Sequence, residues 1–290
     1  MIDGLTLDYA AARAAARLAW RPDDRLWQRL HAARGLRALL DTARAAPVGI
    51  YVSGIAATAS AGEIDAAFRA QWRARVTELS GWAPADWRPA LRWCATLIDL
   101  PAVAALWNGE RARWMQTDPL LARYAGPPGS PAPTRAALHV ALIEGPLAPL
   151  GRALFLLDAE PAREHRHPGA EQSLPATLRA WRQHWRALWP ATDADQHAAL
   201  DALEHDVLAH RARFAQLPAT DTQAARDAFA ARMLARLRAD PSQPPALFAW
   251  LLVLALDLER LRAEALLRAL ELPLPAAQPA APARAPAEAA

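Results

Sequence analysis

Apolar residues recur along this chain at spacings of three and four, and almost nowhere in strict alternation, which predicts helix over most of its length. The punctuation between the periodic stretches supports this. Pro22, Asp23 and Asp24 open a helix, since proline suits the first turn and acids suit the positive helix end. Gly35 marks a break before Leu36–Ala45. Ser60 followed by Glu63 has capping-box spacing and starts a helix reaching about Leu79. Asp86 and Asp99 each stand where they would cap a following helix, with Pro101 in the first turn of the second and Asn108-Gly109 ending it. After Ser173 come four more helices, over Pro175–Leu188, Asp193–Gln216, Thr222–Arg238 and Pro244–Leu270. Val48–Ile55 has strand character in Ile50, Tyr51 and Val52, but no second strand is available to pair with it, so it reads as extended loop. The expected fold is all-α: helices packed as bundles, in an N-terminal part (1–125) and a C-terminal part (134–272).

Between these parts lies 126–133, in which four prolines and two glycines leave no room for helix. A second polar loop falls near Glu160–Gly169, and 273–290, almost all alanine and proline, reads as a disordered tail. The longest uncharged apolar run, Ala246–Leu256, is too short to cross a membrane and reads as a buried helix. With acids and arginines already among its first twenty residues, the chain reads as cytoplasmic, with peripheral membrane association possible through partners.

Composition removes several chemistries. All 33 basic residues are arginine. Without lysine there is no Walker-type phosphate loop, no Schiff-base chemistry and no serine–lysine dyad. The single cysteine excludes an internal disulfide and a cysteine-rich zinc site. The formal net charge is only +3, and acids and arginines intermix without a like-charged block, which argues against a nucleic-acid partner.

Two segments resemble each other. Trp93 precedes Asp99-Leu100-Pro101-Ala102-Val103-Ala104-Ala105, and Trp250 precedes Asp257-Leu258-Glu259-Arg260-Leu261-Arg262-Ala263. Each runs aspartate, leucine, two variable positions, an aliphatic residue, one variable position and alanine, so an internal repeat is one reading and chance in an alanine-rich chain the other.

The order of these segments resembles the C-type subunit family of V-type ATPases, whose eukaryotic members are called d-type. Three stretches carry the resemblance: Asp24–Val52, with Leu26, Leu30, Leu36, Leu39 and Leu40 before Ala46-Pro47-Val48-Gly49; Ile64–Gly109, where a long amphipathic helix leads to Asp99 and a glycine-terminated aliphatic helix; and Pro244–Pro273, around Asp257-Leu258-Glu259-Arg260-Leu261-Arg262. Ala102 and Arg260 stand where the family carries asparagine three residues after the acid. The resemblance implies a funnel of three-helix bundles on a membrane proteolipid ring, receiving the rotor stalk and carrying no catalytic residues. Other proteins of the rotary motor would then be its partners, with no cofactor or metal. An unrelated helical scaffold, or an all-α enzyme with an acidic or histidine site, are the alternatives.

Each residue group with chemical potential has a plainer reading beside it. His197, Asp201 and His205 share a helix face at metal-ligand spacing, but that face lies well away from the stripe of Leu200, Leu203, Val207 and Phe214, so it reads as solvated. Glu164, His165 and His167 sit in the polar loop and read as solvated too. Trp181, Trp185 and Trp189 recur every fourth residue as core stripe or partner anchor, with core expected. Trp82, Trp87 and Trp93, around Pro84 and Pro89, read as a sealed helix corner, and Cys94 as a buried, inert thiol. Glu78, Asp86, Asp99, Glu144, Asp158 and Asp257 are scattered carboxylates, of which Glu144 and Asp257 interrupt apolar surroundings and would need arginine partners if buried. Arg260 and Arg262 belong to an interior ion network or a docking face.

Overall fold

The computed structural model describes residues 6–159, 170–191, 194–218 and 221–270. Among these it is helical, with no strand. Helices α1 (Leu7–Arg17), α2 (Asp24–Ala32) and α3 (Gly35–Arg44) are followed by the long α4 (Ala61–Trp82) and the short α5 (Arg88–Trp93). Then come α6 (Leu100–Trp107), α7 (Ala122–Ala125), α8 (Arg135–Ile143) and α9 (Ala148–Ala159). The chain closes with α10 (Ala170–Ala187), α11 (Ala194–Phe214), α12 (Thr222–Ala239) and α13 (Pro245–Leu270).

Local chemistry sets most boundaries. Asp23 accepts from the Leu26 amide at 2.7 Å and fixes the start of α2. The Ser60–Glu63 capping box forms in both directions: the Glu63 carboxylate accepts from the Ser60 amide at 2.7 Å, and the Ser60 hydroxyl accepts from the Glu63 amide at 3.4 Å. Asn108 caps α6, and Gly109 follows at φ +84°, a conformation that glycine adopts without steric cost. Two expected caps are not made. Asp86 is exposed and leaves α5 without a side-chain cap. Asp99 sits at the N-cap of α6, but its carboxylate turns away to arginines of α4. Val48–Ile55 is not extended either. Pro47–Tyr51 forms a 3-10 turn that buries Val48 and Tyr51, so the apolar residues are satisfied by burial in a tight helix rather than by strand pairing.

Helix α13 is the axis of the fold. It packs on α12, α4, α3 and α1, while α10 packs on α9 and α6. The run Ala246–Leu251, buried at every position, accounts for this placement. Segment 88–107, apolar enough by length and composition to cross a membrane, is broken into α5, a 3-10 helix (Cys94–Asp99) and α6, with most of it inside the core. The 126–133 segment is non-helical and is tied down by Arg111, which donates to the carbonyls of Ala125, Ser130 and Pro131. The parts before and after it contribute to one continuous core. The polar loop at 160–169 and the Ala/Pro tail lie outside the described residues.

Candidate functional site

The aspartates singled out by the Asp-Leu similarity are both buried and both held by arginine. Asp257, halfway along α13, receives Arg21 through two parallel bonds, Nε to Oδ2 at 2.6 Å and Nη2 to Oδ1 at 3.1 Å. Burial raises its carboxyl above the usual range despite Arg21.

Asp99 belongs to a longer arrangement. Its Oδ1 accepts from Arg73 Nη2 at 2.7 Å and Arg69 Nη1 at 3.3 Å. Arg73 also reaches Asp118 at 3.0 Å, Arg69 reaches Asp65 at 3.1 Å, and Arg262 of α13 reaches Asp65 at 2.6 Å and Glu259 at 3.1 Å. Acid and base therefore alternate from Asp118 through Arg73, Asp99, Arg69, Asp65 and Arg262 to Glu259. The chain of charges crosses from the segment before α7, over α4 and α6, to α13. Asp99 Oδ2 is buried with no partner, and burial, outweighing Arg73 and Arg69, pushes this carboxyl up to about 6.

Beside this chain of charges opens a cleft of about 870 Å³. Phe68 and Trp72 of α4 form one wall, Trp181 and Trp185 of α10 another, and Phe248 and Leu252 of α13 the floor. Val207 and Leu208 of α11 and Phe229 of α12 complete it. The tryptophans are fixed by neighbours: the Trp93 indole N–H donates to the Trp181 carbonyl at 3.1 Å, Trp181 donates to Thr96 Oγ1 at 2.9 Å, and Trp185 lies edge-on to Phe248 with centroids 5.1 Å apart. The rim is charged. Arg69, Asp65, Arg262 and Glu259 lie at one side, and Arg182, Glu204, His210 and Arg211 at the other. Glu204 is gripped by Arg182 and Arg186; burial alone would raise its carboxyl, but these hydrogen bonds prevail and hold it below the usual range.

The remaining candidates disperse. Asp201 is exposed and pairs with Arg186 at 2.7 Å, His197 lies against Trp189 with centroids 5.6 Å apart, and His205 is exposed, so the three do not converge. Among the described residues no group of three histidine, cysteine or carboxylate side chains is gathered for a metal. Glu164, His165 and His167 and the Asp158 side chain lie outside the described residues. Trp181 and Trp185 are core residues that also line the cleft, while Trp189 is half-buried. Trp82, Trp87 and Trp93 do not seal one corner together: Trp82 sits under Arg13 and Arg17, Trp87 meets Phe248, and Trp93 stacks on Trp181. Cys94 is buried, with its thiol pushed up by burial. Glu78 pairs with Arg17 and Arg75, and Glu144 is exposed at the end of α8. Arg262 is in the interior network, whereas Arg260 lies over Trp27 at 4.0 Å. Sequence reasoning passed over Asp65, Asp118 and Glu204. For the first of these a signal was present, since Asp65, Arg69 and Arg73 recur every fourth residue on α4.

The fold and cleft define an all-α protein with an aromatic-lined, charge-rimmed cleft between its helices. Comparison with protein-family models, curated proteins and solved structures finds no match to this chain.

Proposed function

We propose that this chain is a non-catalytic helical interaction protein, and specifically a rotor adaptor of the V-type ATPase C-type family, joining a membrane proteolipid ring to a rotor stalk. The observation that carries the reading is the use made of its buried acids. Asp99 ties the start of α6 to α4, Asp257 ties α13 to the turn before α2, each through arginine, and the alternating charges from Asp118 to Glu259 brace α4 against α13. A body that transmits torque needs this kind of stiffness between helices, because paired buried charges resist shear in a way that non-directional apolar contact does not. The sequence resemblance over Asp24–Val52, Ile64–Gly109 and Pro244–Pro273 supplies the particular assembly.

The test is purification of the tagged chain from membranes of its source in mild detergent. Recovery with the proteolipid and central-stalk proteins of a rotary ATPase in fixed ratio is expected. Recovery free of them overturns the adaptor role.

A further inference from the structure

The cleft has an uneven electrostatic rim, and the unevenness specifies a ligand. At the α4–α13 side every charge is met by its opposite: Arg69 by Asp65 and Asp99, Arg262 by Asp65 and Glu259. At the α11–α12 side Arg182 is met by Glu204 and Arg236 by Asp206, but further arginines there are not met by an acid. Arg211 lines the cleft there and is exposed, and His210 stacks on the cleft wall residue Phe229 at 4.1 Å. Burial lowers that histidine's affinity for a proton, and the charges of Arg232, Arg213 and Arg226 lower it further. Arg226 lies over Phe214 at 5.1 Å and Arg232 over Phe229 at 5.4 Å, contacts that orient a guanidinium without neutralising it. Among the described residues none of Arg211, Arg213, Arg226 and Arg232 forms an ion pair.

Helix α11 makes this side adaptable. Only Leu200, Leu203 and Glu204 of it are buried, and its second half turns Val207 and Leu208 toward the cleft. Beside the apolar contacts of Leu200 and Leu203, it is tied through charge, by Arg182 and Arg186 on Glu204 and by Arg236 on Asp206. An apolar chain lying beneath it would gain contact with Val207 and Leu208 above and with Trp185, Phe248 and Leu252 below.

We propose that the cleft binds a single-chain anionic amphiphile, a long-chain carboxylate whose tail lies on the aromatic floor and whose head sits at Arg211. The cleft's size, about 870 Å³, falls within the range of small-molecule sites. Three turns of helix, about 16 Å long and 10 Å across, displace roughly 1,300 Å³ and would seat only one face there. This site stands on the cleft's chemistry and does not depend on the adaptor role.

The experiment titrates hexadecanoate into the full chain below the micelle threshold, read by calorimetry and by tryptophan fluorescence. Saturable one-to-one binding with a change in indole emission is expected. Hexadecyltrimethylammonium, with the same tail and the opposite head charge, should bind at least about tenfold more weakly. Arg211→Glu, an exposed change checked for folding by circular dichroism, should weaken hexadecanoate about tenfold or more. Ala255→Trp, which narrows the cleft, should abolish binding in a protein that still folds. Absence of saturable binding, binding only above the micelle threshold, equal affinity for the ammonium amphiphile, or unchanged affinity in Arg211→Glu overturns the proposal.

Discussion

Arg21 and Asp257 stand 236 positions apart in sequence and meet as a fork on a carboxylate, with Nε to Oδ2 at 2.6 Å and Nη2 to Oδ1 at 3.1 Å. The pair fastens the turn before α2 to the middle of α13, the helix around which the rest is built. Replacing Arg21 by methionine leaves a buried carboxylate uncompensated. A change of this kind costs about 3–5 kcal/mol in a fully buried pair. The Arg21 side chain keeps 27% exposure, so water offsets part of the loss and about 2–4 kcal/mol is expected. The double variant Arg21→Met with Asp257→Leu removes both charges and should be more stable than Arg21→Met alone. Equilibrium unfolding in guanidinium gives both numbers, and a double variant no more stable than the single one contradicts the account.

Asp99 predicts an unusual pH response. Its carboxyl is raised from 3.8 to about 6 by burial, so the folded protein holds this proton more tightly than the unfolded chain does. Its contribution to stability is therefore present below about pH 4 and is lost as pH rises through 6, the reverse of an ordinary paired aspartate. A rise of this size corresponds to on the order of 2–3 kcal/mol. Asp99→Asn cannot titrate. The stability of the wild type relative to Asp99→Asn should fall by that amount between pH 4 and pH 7, measured by denaturant unfolding at each pH. A constant difference would show that Arg69 and Arg73 cancel the burial, and a difference that grows with pH that they outweigh it.

Much of the fold was legible because helix signals are local. Ser60 and Glu63, Asp23, Asn108-Gly109 and the apolar run in α13 each declare their element from adjacent residues. The misreadings come from contacts that only the folded core supplies. Asp99 occupies a capping position, but arginines from another helix outcompete the local amides, and no nearest-neighbour rule contains Arg73. Val48 and Tyr51 have strand propensity, but the tight turn buries them as effectively as a sheet would. The cleft was the least legible feature, since Trp72, Trp185, Phe229 and Phe248 come from four helices and each alone reads as core.

Cys94 offers a probe of opening from the native core. It is buried on the 3-10 segment after α5, its Sγ lies 3.5 Å from the Ala90 carbonyl, and burial pushes its thiol up, so both access and thiolate are scarce. An aromatic disulfide reagent should modify it only at the rate at which the structure opens. Labelling should accelerate with denaturant in parallel with unfolding measured by tryptophan fluorescence. Cys94 also lines the cleft, so modification of the native protein at the rate of a free thiol would show that the cleft admits the reagent.

Glu204 should control the mobility of α11. The helix buries few residues, and its carboxylate is the common anchor for Arg182 and Arg186 of α10. In Glu204→Gln the packing surface is nearly unchanged, but the charge that gathers the two arginines is gone. Global stability should fall modestly, by about 1–2 kcal/mol, because both arginines are partly exposed and regain water. Local stability should fall more clearly. Amide hydrogens over Leu203–Phe214 should exchange faster, while those of α13 over Phe248–Leu258 keep their protection. Raising the salt to about 1 M, where charges are screened beyond roughly 3 Å, should move the wild type in the same direction as the substitution and affect Glu204→Gln less. Equal acceleration in α11 and α13 would mean that α11 opens only with the whole core, and that apolar packing, not Glu204, holds it in place.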